Sequence, residues 1–368
     1  MILKNQTILI TSNEPWGDVW YSKQNYAYEL SKTNRVYFIN PQSKWKITNL
    51  FYNKVIIKKY SDSLNIIEYK NYLPGITDFT KSINNYFVSK LLNKYFIRNN
   101  ISIDIFWAFD PIRLFQPSFF KPKLSIYHCV DKYYLKYYGV KRLATNCDLL
   151  FAVSNELIKT YSNYKIRKYI IPHAISIEEF HINIDIAKEN EINLENYGLY
   201  IGNIDDRIDY VLLEKIVKQF PDETFAFIGP VTYLPENEFT SRLFQKKLYN
   251  NVHLLGIKHF KELKYYINKA KFCFYYANKN LEARIISSHK ILSYLSQGKP
   301  LFSYKLKEYA TRTDIIYFYD SNEEAIVKLN RFLKQGEEPL LVEKRKAFAQ
   351  EFTFEKIIKK IESYLPIE

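Results

Sequence analysis

This chain of 368 residues is poor in the residues that break or staple structure, with 9 Gly, 13 Pro and 3 Cys. So few glycines and prolines exclude a fibrous or linker-dominated organisation, and no low-complexity run or internal repeat is present. Cys129, Cys147 and Cys273 lie far apart without metal-ligand spacing, which predicts reduced, buried thiols. No apolar run reaches the roughly 20 residues of a membrane span. The segment from Met1 to Ile10 reads as a first strand without a cleavable signal pattern, so a soluble cytoplasmic protein is the expectation. Also missing are a Gly-x-x-x-x-Gly-Lys-Ser/Thr loop and a Gly-x-Gly-x-x-Gly run after the first strand. With no His/Cys/Asp cluster at ligand spacing either, neither a metal nor a cofactor is expected.

What the chain has instead is positive charge and aromatic rings. A net charge of +14 and a pI near 9.2 call for an anionic partner: a nucleoside diphosphate, an anionic membrane surface or a nucleic acid. The 33 Tyr and 26 Phe interleave with lysines at 131–138 and 258–266. Such runs suit single-stranded nucleic acid or a membrane interface. No nucleic-acid-binding motif accompanies them, so nucleic acid is not among the expected partners. The length fits two domains of roughly 150–200 residues.

Apolar runs at 7–12, 35–40, 65–69, 102–109, 124–128 and 149–154 read as buried strands separated by helical or loop segments. A second series follows at 199–202, 224–229, 252–255, 272–275 and 301–303, with a helix over Val211 to Gln219. Alternating strand and helix predicts an open parallel sheet covered on both faces, here twice over. Ligands of such sheets gather where strands end, which directs attention to Gly202, Asn203, Asp205 and Arg207 after one strand. His128 and Asp131 attract attention after another. Asp110 also ends a strand, where it caps the Pro111 turn or faces a ligand.

The stretch Ser287-Ser288-His289-Lys290-Ile291-Leu292-Ser293-Tyr294-Leu295-Ser296-Gln297-Gly298-Lys299-Pro300 carries the strongest signal. Ser287 or Ser288 can cap a helix whose free N–H groups, beside Lys290, suit a phosphate. Ile291, Leu292 and Leu295 form the expected buried stripe, and Lys290, Ser293, Tyr294 and Gln297 the side facing ligand or solvent. Gly298 is a natural helix terminator and Pro300 bars continuation.

This stretch resembles the nucleotide-sugar site of retaining GT-B glycosyltransferases, family 4-like, whose pattern is roughly Pro-x-Lys-x-x-Glu-Tyr-Leu-Ala-x-Gly-Lys-Pro-Val-Val. Lys290, Tyr294, Leu295, Gly298, Lys299 and Pro300 match. Ser293 stands where the family carries a ribose-binding Glu, and a neutral hydroxyl there forgoes about 1–3 kcal/mol of nucleotide affinity. Further landmarks resemble the family in order and spacing: Ala152-Val153-Ser154, Ile171-Pro172-His173-Ala174, Tyr200-Ile201-Gly202 with Arg207, Phe227-Ile228-Gly229-Pro230, and Asn251 to Gly256.

The resemblance implies an α/β protein of two Rossmann-like domains facing a cleft. Residues 1–180 would form the acceptor-side domain and 181–345 the nucleotide-sugar domain. Residues 346–368 would supply a C-terminal helix crossing back to the first domain. It implies transfer of a sugar from a nucleotide-sugar to a glycan or lipid-linked acceptor, retaining and metal-independent, in bacterial surface polysaccharide biosynthesis. Peripheral attachment to the inner leaflet fits the basic, aromatic composition. By the same resemblance Gly202, Asn203, Arg207, Ser287, Ser288, Lys290 and Ser293 are expected to be donor-binding, His128 and Asp131 catalytic, and Gly17 and Trp20 acceptor-side. Ile285 holds the family's first acidic position; Glu282, three residues earlier, is either a donor contact reached by a different loop path or an exposed loop carboxylate. Ser293 and the thin glycine content near Gly17 leave open an alternative, a catalytically silent member that binds glycan or a partner.

Overall fold

A computed structural model describes residues 2–51, 53–133, 138–181, 194–234, 240, 249–278 and 289–366. The chain divides into two compact units, residues 1–172 with 354–368, and residues 173–353. The divisions expected from the sequence lie at 180 and 345. Both units are parallel α/β layers, the expected fold class.

The first unit is built on β1 (Thr7–Thr11), β2 (Arg35–Ile39), β3 (Ile56–Lys59), β4 (Leu64–Glu68), β5 (Ile105–Ala108), β6 (Leu124–Cys129), β7 (Leu149–Ala152) and β8 (Arg167–Ile170). They lie in the order β3-β4-β2-β1-β5-β6-β7-β8, parallel except where β3 pairs antiparallel with β4. β5, β6 and β7 are buried at every position, so both faces need cover, and helices between parallel strands supply it. From β1 the chain builds outward through β2 on one side and β5 on the other. That makes the carboxyl ends of β1 and β5 the topological switch point, where open sheets bind ligands. The helix Phe354–Glu362 belongs to this unit. Its Phe354 ring meets Tyr26 at 5.0 Å, Tyr364 stacks on Tyr169 at 4.1 Å, and Glu362 accepts the Leu3 N–H at 2.7 Å.

The second unit carries β9 (Tyr197–Ile201), β10 (Phe225–Ile228), β11 (Val252–Leu254), β12 (Ala270–Tyr275), β13 (Leu301–Tyr304) and β14 (Tyr317–Tyr319). All are parallel, in the order β11-β10-β9-β12-β13-β14. Its switch point lies between β9 and β12. The helix His289–Ser296 returns the chain from β12 toward β13. Its expected polar side is a correction: residues 291–298 are all buried. Tyr294 is wholly enclosed because its hydroxyl accepts the Ile201 N–H at 2.8 Å, so a buried phenol is satisfied and locks the helix to the end of β9. Gly298 ends the helix at φ +69°, where any Cβ would sit 2.5 Å from Val342.

The three cysteines are free and buried. Among the described residues no helix is long and apolar enough to cross a membrane.

Candidate functional site

At the switch point of the second unit, the loop after β9 is pinned to the segment after β12. Asp209 donates its N–H to the Tyr276 carbonyl and Asn278 to the Arg207 carbonyl, both at 2.8 Å. Gly202 opens this loop at φ +142°, a conformation L side chains rarely adopt. It is also where Lys290 arrives: a Cβ on Gly202 would stand 2.2 Å from Lys290 Nζ. Gly229 at the end of β10 packs its backbone on Gly202 so closely that a Cβ would meet the Gly202 carbonyl oxygen at 2.1 Å. Glycine at both positions thus brings bare backbone beneath one ammonium group.

Lys290 Nζ lies over the faces of Tyr200 at 4.5 Å and Tyr275 at 4.8 Å and donates to the Tyr200 hydroxyl at 3.4 Å. Ring faces attract a cation but are poor substitutes for water. Burial, reinforced by the nearby Arg207 charge and only partly opposed by Asp205, therefore brings its pKa down to about 7. Burial likewise pushes the Tyr275 phenol up to about 12 and Tyr200 well above the usual range, so both remain neutral. Arg207 forks onto Asp205, Nε to Oδ1 at 2.9 Å and Nη2 to Oδ2 at 2.6 Å, while keeping 37% of its side chain exposed. Two cations share one carboxylate. Among the described residues, two basic side chains thus stand by bare backbone and uncharged phenols, an environment suited to a diphosphate.

Gly202, Arg207 and Lys290 are therefore brought together. Asn203 sits in the same loop, its carbonyl accepting the Tyr200 hydroxyl at 2.9 Å. Ser293 is buried on the helix one turn beyond Lys290. Glu282, Ser287 and Ser288 lie outside the described residues. Tyr200 and Tyr275 carry no local signal in the sequence, because a buried tyrosine in a strand looks like any other core aromatic, and the pairing of Asp205 with Arg207 shows only in the folded loop.

The first unit places its candidates differently. His128 is not beyond the strand but within β6, fully buried. Its ring stacks on Phe109 at 4.8 Å and meets Tyr26 edge-on at 5.1 Å, and its Nδ1 accepts the Trp107 indole N–H at 3.3 Å. A histidine so enclosed is held as core, with no exposed face to offer a sugar. Asp131 is half exposed and pairs with Lys23 Nζ at 3.0 Å. Lys23, 3% exposed and unnoticed in the sequence, also pairs with Glu14 at 2.8 Å. Burial works to lower its pKa, but the two carboxylates outweigh it and hold the ammonium above the usual lysine range. Asp110 does cap its turn, accepting the Ile112 N–H at 2.7 Å, and also grips Arg113 at 2.5 Å.

Gly17 has open space around it. Trp20 packs on Trp16 at 4.8 Å and donates its indole N–H to the Gly17 carbonyl at 2.9 Å. Side chains hold this loop where glycines were expected: Gln24 donates to the Pro15 carbonyl and Asn40 accepts the Trp16 N–H. In the basic-aromatic run at 258–266, Tyr265 and Tyr266 are buried and Lys264 donates to the carbonyls of Glu178 and His181. Among the described residues no three His, Cys, Asp or Glu are placed to hold a metal ion.

No family model and no curated protein sequence matches the chain. Solved structures do. The chain is similar to sucrose-phosphate synthase from Thermosynechococcus elongatus at 13% identity and TM-score 0.71, covering 98% of each chain. It is similar to a UDP-forming alpha,alpha-trehalose-phosphate synthase from Burkholderia xenovorans at 10% identity and TM-score 0.66, again over 98% of each. HepE from Anabaena, in complex with UDP and glucose, matches at 13% identity and TM-score 0.65, over 98% of this chain and 99% of that one. At these identities the likeness is one of fold, and it runs the length of both units.

Proposed function

We propose that the protein is a GT-B glycosyltransferase, family 4-like, that moves a sugar from a nucleotide-activated donor to a glycan or lipid-linked acceptor. The observation that carries this reading is the meeting of Lys290, Arg207 and the Gly202 backbone at the switch point of the second unit. In it, Lys290 and Arg207 hold the diphosphate, and the charge that develops on the departing nucleoside diphosphate is met by cations already in place. Lys290, whose pKa burial lowers to about 7, takes up a proton when the donor's diphosphate binds, so it is charged before the bond to the sugar breaks. Charge stabilisation by two side chains and backbone needs no metal ion in this reading, and the sequence resemblance favours retention of anomeric configuration. The solved structures of similar fold support the choice of donor class, since one of them holds UDP and glucose.

Asp131 is assigned to an acceptor or sugar hydroxyl, and Gly17 and Trp20 to the acceptor side. Surface polysaccharide assembly, with attachment of the basic chain to an anionic inner leaflet, is the cellular role that the sequence resemblance suggests. Incubation with a panel of nucleotide sugars and candidate acceptors, with release of nucleoside diphosphate as the readout, tests the proposal. Acceptor-dependent release from one donor is expected, and failure to bind any nucleotide would defeat it.

A silent binding protein is the second reading. It is favoured by Ser293 in place of a carboxylate and by the engagement of Arg207 with Asp205. In that case Lys290→Ala would leave function in cells intact.

A further inference from the structure

A pocket in the first unit, at the carboxyl ends of β2, β4 and β5, has a chemistry of its own. It has about 350 Å³ of space including its open mouth, of which about 40 Å³ admits the centres of water-sized atoms. That suffices for two or three oxygens side by side, the edge of a small ring and not the whole of it. The helix Asp78–Arg98 forms one wall, and Asn84 on it pins the opposite loop by bonding both the N–H and the carbonyl of Leu73 at 2.8 Å.

The lining carries polar groups that the described residues leave unmatched. Asn71 is 6% exposed and makes no hydrogen bond among them. Asn85 is 4% exposed; its amide N–H₂ donates to Gln116 at 2.7 Å while its Oδ1 has no partner. Arg113 spends Nε on Asp110 and Nη1 on Gln42, leaving Nη2 over. Of these only Asn85 Oδ1 is closed off without a partner, at a cost of about 1–3 kcal/mol; the Asn71 amide and Arg113 Nη2 stay open to the pocket.

The kind of vacancy selects the ligand. An oxyanion only accepts hydrogen bonds, yet the open amide of Asn71 calls for both a donor and an acceptor. Charge points the same way, because Asp110 offsets Arg113 and Asp78 stands 3.4 Å from Lys81. Hydroxyl groups donate and accept at once, and Tyr69, kept a neutral phenol by burial, matches them in kind.

We infer that this pocket holds adjacent hydroxyls of a neutral sugar, which makes it the subsite for the sugar of the acceptor. The role as acceptor subsite rests on the glycosyl-transfer reading; the binding does not.

Saturation-transfer NMR on the full chain without nucleotide, using methyl glycosides of glucose, galactose, mannose and N-acetylglucosamine, tests it. Transfer to at least one glycoside is expected, unmoved by equimolar inorganic phosphate. Asn71→Leu, which keeps the branched shape and removes the amide, should weaken that binding at least fivefold. Asn71→Ala should do the same, and thermal melts check that both fold. Affinity for UDP should be unchanged in both variants, so a failed sugar experiment beside intact UDP binding sinks this inference alone. Absence of transfer from all four glycosides, meaning ordered water only, would overturn it, as would displacement by phosphate or indifference to both substitutions.

Discussion

Lys23 and Lys290 are both sequestered lysines at the carboxyl ends of parallel strands, one in each unit, and they have opposite surroundings. Lys23 is clamped by Glu14 and Asp131 and its pKa is raised. Lys290 sits on two tyrosine faces, shares Asp205 with a second cation and has its pKa lowered to about 7. Among the described residues the first cluster pairs one cation with two carboxylates, and the second sets two basic side chains beside Asp205. The difference separates a lysine that holds structure together from one held ready for an anion, although the sequence positions look alike. The sign of the pKa shift records which charge the protein has left unmet.

Substitution to methionine should split the two apart. Lys23→Met strands two carboxylates beside a buried site and should destabilise the chain by about 2–3 kcal/mol, read as a lower urea midpoint with unchanged slope. Lys290→Met removes an ammonium that folding has desolvated, so the midpoint at neutral pH should hold or rise. Its affinity for a nucleoside diphosphate should nevertheless fall roughly 10- to 100-fold, the worth of one charge-assisted bond.

The pH profiles should differ in the same way. Lys23 contributes stability throughout the neutral range, lost only as pH rises past the usual lysine value through its raised one. At Lys290 the unfolded chain holds a proton that the folded one releases above about pH 7, so stability from this site rises with pH from there toward the usual lysine range. Lys290→Met should flatten that rise in a urea series. Gly202→Ala has the smallest expected effect: its Cβ displaces the Lys290 ammonium and strains a positive φ, costing about 1–2 kcal/mol of stability and several-fold in diphosphate affinity.

How much of this was legible in the sequence follows from burial. Strands covered on both faces, such as β5, β6, β7 and β12, announce themselves as unbroken apolar runs. The edge and near-edge strands β3, β8 and β14 do not. Ile56–Lys59 is short and ends in two lysines, Arg167–Ile170 is only half-buried, and Tyr317–Tyr319 has three residues.

Gly202, Arg207 and Lys290 were legible because strand ends and a capped helix are local signals. His128 was misjudged as lying beyond its strand, since nothing local says that four aromatic rings close around it. Tyr294 was assigned to the wrong side of its helix because its partner, the Ile201 N–H, lies 93 residues away. Lys23 was lost among 53 basic residues. Its spacing from Tyr26, Ala27 and Leu30, all buried, puts it at i, i+3, i+4 and i+7 on the inward stripe. A lysine in phase with a buried stripe is the signal that would have found it.

Calorimetry of UDP binding to the wild-type chain and to Lys290→Met, at pH 8 in two buffers of different ionisation enthalpy, addresses the central claim most directly. The wild type should bind UDP with proton uptake approaching one per site, weakening as pH rises from 7 to 9, and the variant should lose both the uptake and most of the affinity. Binding with no proton linkage and equal strength in the two proteins, or no binding of UDP or any other nucleoside diphosphate to the wild type, would contradict it.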